Sequence, residues 1–287
     1  MRAMDRPAYE LNAGFEACVN DINDVRLKGR LTAVSPEIGR AGLYYDQLAS
    51  NGTLHEMPRS ELQDHEIQVG EVTKKELKNL YDSPMVARRQ SSSRAIYDNL
   101  RAAAPGGKCP TCGLGQVSTL DHFLPKSSFP WFSVLTANLV PACRDCNTYK
   151  SARAAADAQC FHPYYDEAPL MRDRWLFAEI LPTNPVSARY FVRTPQGWTP
   201  HLTLRAENHF REYDLAKRFA IEAANEISAL IPTFTQAPRM NPQEIRSALA
   251  RRLNAHRQQQ CNSWQIGLFE ALRDCDWFCN LQFEQAG

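Results

Sequence analysis

The 287-residue sequence has no run approaching the ~18 consecutive apolar positions that a membrane-spanning helix requires. It has no excess of charge either. With 33 Lys+Arg against 32 Asp+Glu the net charge is +1, which excludes a protein held to nucleic acid by bulk charge but not one with a local basic patch. No repeat recurs at a period of ~20–50 residues and no long low-complexity tract is present, so solenoids and disordered linkers are excluded. Residues 1–14 carry acids and lack an apolar core, so no secretory leader is expected. What is present is ordinary globular material: 44% hydrophobic and 23% charged residues, enough for one large domain or two modest ones. Without an export signal, an odd set of 9 cysteines reads as reduced thiols or metal ligands. The expected location is cytoplasmic, with no membrane partner.

Four stretches differ in texture. Residues 1–70 are mixed, with turn signals at Ser35-Pro36, Gly39, Gly42 and Asn51-Gly52 and no legible role. Residues 71–107 read as a helical lead-in. Thr73 and Glu76 resemble a capping box, Leu77, Leu80 and Tyr81 follow at helical spacing, and Ala95, Ile96, Leu100 and Ala103 mark a second helix ended by Pro105-Gly106-Gly107. Residues 108–165 hold the cysteine pairs. Residues 166–287 look mixed α/β: strands at Trp175–Leu181 and Ala188–Arg193, then a helix over Tyr213–Ile231 with Leu215, Phe219, Ala223, Ile227 and Leu230 on one stripe. A breaker over Pro232–Pro242 precedes a basic helix to about Gln260, and Trp264–Phe283 is apolar enough to pack onto something.

Cys109-Pro110-Thr111-Cys112 and Cys143-Arg144-Asp145-Cys146 form two Cys-x-x-Cys knuckles. Four thiolates suit tetrahedral Zn²⁺ with every position filled, which leaves no site for water and makes the ion structural. Residues 113–142 separate the pairs, more than the ~15–20 of common zinc patterns, so something folded is expected between them. Cys275 and Cys279 have no partner pair and read as core.

Between the knuckles, Val117–His122 reads as a strand ending in Asp121 and His122. Pro125 stops it, a loop with Phe129, Pro130, Trp131 and Phe132 follows, and Ser133–Val140 looks like a second strand carrying Asn138. The second knuckle opens a helix with Asn147 on its first turn. Elsewhere, His162 in Phe161-His162-Pro163-Tyr164 reads as structural packing.

Residues 109–151 resemble the HNH endonuclease family in its zinc-stapled subset: Cys-x-x-Cys, Asp-His-x-x-Pro, Asn-Leu-Val, then Cys-x-x-Cys-Asn-x-x-Lys. The resemblance covers about 43 of the 287 residues. It implies an α+β fold, a ββα-metal core stapled by a four-cysteine zinc site, here between a mostly helical N-terminal region and a mixed α/β C-terminal region. Within it, His122 matches the general base, and Asn138 the central residue of the catalytic set, which holds the loop between the strands. Asp121 and Asn147 match the ligands of a catalytic cation. An all-oxygen pair favours Mg²⁺ or Mn²⁺.

These residue types suit phosphodiester hydrolysis. A water must lose its proton in line with the leaving oxygen, and a cation must neutralise charge there. An imidazole of ordinary pKa ~6.5 takes that proton near neutrality if its other nitrogen is held by a hydrogen bond. Neighbours on one strand project oppositely, so the strand end is expected to twist or bulge for Asp121 and His122 to serve one phosphate.

Lys126, Arg144, Lys150 and Arg153 flank the motif, and Arg88, Arg89 and Arg94 lie upstream; these are the candidate phosphate contacts, with Lys150 the nearest to Asn147. Arg246, Arg251, Arg252 and Arg257 read as a solvated face. The expected activity is metal-dependent cleavage of DNA in anti-phage defence or a mobile element, with an ATPase or other defence protein as partner. The alternatives are an RNA-cleaving relative and a zinc-stapled binding module without catalysis. Decay to the latter would erode Asp121, His122 or Asn147 first, and all three remain.

Overall fold

The computed structural model describes residues 1–149 and 159–285, and its contacts divide the chain into two units, Arg2–Asp166 and Glu167–Gly287 with Met1. The architecture is mixed α/β. Among the described residues no helix is long and apolar enough to cross a membrane.

The first unit opens with α1 (Ala13–Asn20), α2 (Val25–Ala33) and α3 (Ser35–Asn51). The turn signals expected within residues 35–42 are instead part of α3. Pro36 occupies the first helical turn, where its missing N–H costs nothing. Gly39 and Gly42 lie inside the helix, and Gly42 faces Leu135 and Leu11. Tertiary packing has overridden propensity there. A short antiparallel pair, β1 (Ile67–Val69) and β2 (Val72–Thr73), leads into α4 (Lys74–Leu80). Thr73 and Glu76 form the expected capping box. The chain continues as a π-helical stretch, Tyr81–Ala87, containing Pro84, and then as α5 (Ser92–Ala102).

The centre of this unit is an antiparallel pair, β3 (Thr119–His122) and β4 (Leu139–Ala142), followed by α6 (Arg144–Tyr149). The second strand is shorter than sequence predicts. Its first residues fold as 3₁₀ turns, Pro130–Phe132 and Thr136–Asn138, so Asn138 stands just before the strand. Alternation along the strands divides the hairpin between two cores. Leu120 and Leu139 pack with Phe15, Leu31, Leu77, Tyr81 and Leu100. Phe123 and Val140 pack with Tyr45, Phe129, Phe132 and Tyr164. α1 reaches the loop before β4 because position 14 is glycine. A Cβ there would lie 2.1 Å from the Val134 carbonyl oxygen.

The second unit is built on an antiparallel hairpin, β5 (Leu176–Leu181) and β6 (Ser187–Val192), which follows α7 (Glu167–Met171). After α8 (Pro200–Glu212), α9 (Leu215–Thr235) packs on β6, while α11 (Trp264–Asp274) packs on β5 and on α10 (Pro242–Arg257). The predicted stripe on α9 is buried throughout. The expected breaker before α10 is present but begins later, because α9 runs through Pro232 to Thr235. Arg246, Arg252 and Arg257 on α10 meet Asp276, Glu226 and Glu270, as a solvated face would. Cys279, in α12 (Asp276–Cys279), is buried and donates to the Leu272 carbonyl, the core role expected of it.

Candidate active site and metal centre

None of the nine cysteines is in a disulfide. Cys109, Cys112, Cys143 and Cys146 are buried together, their sulfurs all within 4.8 Å of one another. Zinc–sulfur bonds of about 2.3 Å set tetrahedral S···S edges near ~3.8 Å, and the Cys112 and Cys143 sulfurs are 3.8 Å apart. Backbone N–H groups point at the cluster from Leu114 to Cys112 Sγ at 3.4 Å and from Cys146 to Cys143 Sγ at 3.5 Å. Such donors favour thiolate. The four thiols share protons unevenly. S–H donation, led by Cys109, pulls Cys112 far below the usual thiol range and Cys143 down to about 6. Cys109, through Cys112, and Cys146, through Cys109, are held above it. A divalent cation removes that conflict, because every sulfur then binds as thiolate. The donor set, its spacing and its N–H partners thus fit a structural metal such as zinc.

The first knuckle closes through Gly113 N–H to the Cys109 carbonyl at 2.8 Å and Cys109 N–H to the Gly115 carbonyl at 2.9 Å. Gly115 is pressed against the second. A Cβ at 115 would lie 2.5 Å from Cys143 Cβ and 2.8 Å from its sulfur. Gly115→Ala should therefore push Cys143 out of position, lowering bound metal below one equivalent and costing about 2 kcal/mol or more of stability. Elemental analysis and thermal melting check this, and unchanged values for both would contradict the packing described.

α6 begins at the second knuckle, with the Asn147 N–H on the Cys143 carbonyl at 3.1 Å, and packs against β3. The cluster thereby fixes the helix carrying Asn147, which is exposed, beside the strand carrying Asp121 and His122, both half-buried. The register Thr119↔Ala142 through His122↔Leu139 is regular, so of the twist or bulge expected at the strand end the bulge is absent. Asp121 pairs with Val140 and His122 with Leu139, on opposite faces of the hairpin.

The His122 ring is held by a hydrogen bond. Its Nε2 lies 2.8 Å from the Ser133 carbonyl oxygen. A carbonyl only accepts, so Nε2 carries the proton and the neutral ring has its lone pair on Nδ1. Tyr81 stands edge-on to the imidazole, with centroids 4.4 Å apart, and donates its hydroxyl to the Leu120 carbonyl at 3.1 Å. Ser133 acts through its backbone and Tyr81 comes from another element, so neither had a sequence signal.

Asn138 is fully buried. Its Oδ1 accepts the Leu124 N–H at 2.7 Å, and its Nδ2 donates to the carbonyls of Leu124 at 3.0 Å and Phe132 at 3.1 Å. It ties Leu124 and Phe132 of the loop between the strands to the start of β4.

Among the basic candidates, Arg89 and Arg144 are exposed. Arg88 is exposed but bonds the Asp21 carbonyl. Arg94 is engaged by Asp98 at 2.9 Å and the Val86 carbonyl at 2.7 Å, and lies over the Tyr97 ring. Lys126 pairs with Asp82 at 2.5 Å, above the Tyr81 ring at 4.9 Å. It is therefore a near neighbour of the ring that abuts His122. Lys150 and Arg153 lie outside the described residues. His162 is fully buried among aromatic rings.

No protein-family model matches the chain, and no solved structure matches it. Over 236 residues it is 30% identical to protein Ea31 of Escherichia phage lambda, an alignment covering 80% of this chain and 79% of that protein.

Proposed function

The chain belongs to the family of phage lambda protein Ea31, and from that premise and the site's geometry we propose that it is a metal-dependent endonuclease of the HNH type that hydrolyses phosphodiester bonds in DNA. The observation that carries the reading is the His122 ring. Its Nε2–H is tied to the Ser133 carbonyl at 2.8 Å, which leaves the Nδ1 lone pair as its base, one residue from Asp121 and beside the helix bearing Asn147. A structural zinc on the four cysteines belongs to the same reading, as does a setting in a mobile element or in anti-phage defence with a partner ATPase. A phage relative favours the mobile element.

Asp121 and Asn147 would hold Mg²⁺ or Mn²⁺, which supplies charge neutralisation at the phosphate and the leaving oxygen. His122 Nδ1 takes the proton of a water as its oxygen bonds to phosphorus. The bond from phosphorus to the 3′ oxygen breaks, and that oxygen acquires a proton, giving 5′-phosphate and 3′-hydroxyl ends. No step uses a 2′-hydroxyl, so deoxy substrates suffice. In-line displacement puts the attacking and leaving oxygens on opposite sides of phosphorus. The phosphate would therefore lie across the end of β3, where Asp121 and His122 leave the strand.

Asp121→Ala and Asn147→Ala should each raise the cation concentration for half-maximal cleavage at least about tenfold, since loss of even indirect support to a metal ligand costs that much. The maximum rate should fall less than the affinity. Titrating Mg²⁺ and Mn²⁺ against initial cleavage rates checks this. Unchanged half-activating concentrations in both variants would remove these residues from the cation site.

A further inference from the structure

The hydrogen bonds at Asn138 continue inward to two residues with no place in the chemistry above. The Asn138 amide has one orientation compatible with its neighbours, because Oδ1 faces the Leu124 N–H and Nδ2 faces two carbonyls. A second donor reaches Oδ1: the Tyr45 hydroxyl, from α3, at 3.1 Å. Oδ1 only accepts, so Tyr45 donates. On the other side of the Tyr45 oxygen lies His162 Nε2, also at 3.1 Å. His162 Nδ1 accepts the Tyr164 backbone N–H at 3.2 Å, so the proton of the neutral ring sits on Nε2 and is given to Tyr45. The direction of every proton is settled: His162 to Tyr45, Tyr45 to Asn138.

All three side chains are at 0% exposure. Burial holds the Tyr45 phenol well above its usual range, so it keeps its O–H. Phe123 stacks on His162 at 4.0 Å and Phe132 meets Tyr45 edge-on at 5.1 Å, which leaves the chain no alternative partners in water. Its far end lies on both sides of His122. The Phe123 N–H, next in sequence to His122, donates to the Asn138 carbonyl at 2.7 Å. The Phe132 carbonyl that receives Asn138 Nδ2 adjoins Ser133, whose own carbonyl fixes the His122 ring.

We infer that Tyr45 and His162 are positioning residues for His122, clamping the loop between the strands through Asn138 so that the Ser133 carbonyl selects one tautomer of the base. The inference deepens the nuclease reading and rests on it for its catalytic consequence, while its consequence for the His122 ring stands apart from it. It also gives α3 and the segment after α6 a part in the site that neither shows locally. A buried polar chain delivers such specificity only when every member is satisfied, and removal of one member loosens the rest.

The test uses the full chain. Tyr45→Phe keeps the ring and its packing and removes the hydroxyl, and His162→Phe removes the donor. His162→Gln keeps an N–H where Nε2 stands. Long-range ¹H–¹⁵N NMR correlations at a pH where the rings are neutral should show His122 as the single Nε2–H tautomer in the wild type and in His162→Gln. Tyr45→Phe and His162→Phe should give mixed tautomers, with kcat for DNA cleavage lowered about tenfold or more and KM unchanged. A His122 ring that keeps one tautomer in both of those variants overturns the inference, even if their melting temperatures fall, since that is all a structural role predicts. If the wild type cleaves nothing, the nuclease reading falls by itself and the ring measurement still decides the clamp.

Discussion

Replacing His122 with alanine should lower the rate of DNA cleavage by about three orders of magnitude and leave DNA affinity nearly unchanged. The size follows from what the ring does. A positioned base contributes roughly 10²- to 10⁴-fold, and no second imidazole or carboxylate on this hairpin face has the Ser133 carbonyl to orient it. Affinity survives because proton abstraction acts only in the transition state, so kcat and kcat/KM fall together. The fold survives as well. His122 is half-buried at the end of β3, and its loss leaves one carbonyl to find water, a cost of about 1 kcal/mol. Single-turnover cleavage, binding to uncleaved duplex and thermal melting, run on one preparation, separate these terms. A variant that cleaves at the wild-type rate would show that His122 is not the base.

Breaking the four-cysteine cluster has a larger structural effect. Cys109→Ser or Cys143→Ser should release the metal and unfold the unit formed by residues 2–166, with loss of solubility. Structural zinc contributes about 10–16 kcal/mol of apparent binding free energy at neutral pH in small domains, against total stabilities of about 5–15 kcal/mol. The unit has two apolar cores of its own, but β3, β4 and α6 between them are short and are joined through the knuckles. Elemental analysis should find about one zinc per chain in the wild type and none in these variants. Cys18→Ser and Cys279→Ser, at buried cysteines outside the cluster, should keep the full complement. Acidification should release zinc as the thiolates that bind it take up protons. A folded, metal-free wild type would contradict this account of the cluster.

What the sequence discloses about this molecule is local in character. The knuckles are legible because four thiolates need fixed short spacings, and the structure gathers those four and no other cysteines. The capping box at Thr73 and Glu76 and the stripe on α9 are legible for the same reason, since each is a pattern within one or two helical turns. Asn138 as a loop holder is legible only through resemblance. Its partners at Leu124, Phe132 and Tyr45 follow no spacing, and Tyr45 is 93 residues away. α3 was hidden by Gly39 and Gly42, which ordinarily mark turns but here sit in a helix whose buried face decides the matter. Pro232 misled in the same way, because α9 continues three residues beyond it to Thr235, with Leu230 and Phe234 buried on either side of it. Of the twist or bulge expected at Asp121 and His122, the regular pairing excludes the bulge, because strand register is set by the partner strand and neither residue signals it in sequence.

The central claim, that this chain cuts DNA with a metal ion and His122, is tested most directly by one cleavage experiment. Purified chain is incubated with supercoiled plasmid, linear single-stranded DNA and RNA, each with Mg²⁺, Mn²⁺ or EDTA, and the ends are analysed. Cation-dependent cleavage of DNA with 5′-phosphate and 3′-hydroxyl ends is expected, abolished by EDTA and absent with His122→Ala. DNA left intact under every cation, or cleavage that persists in EDTA or without His122, would contradict it.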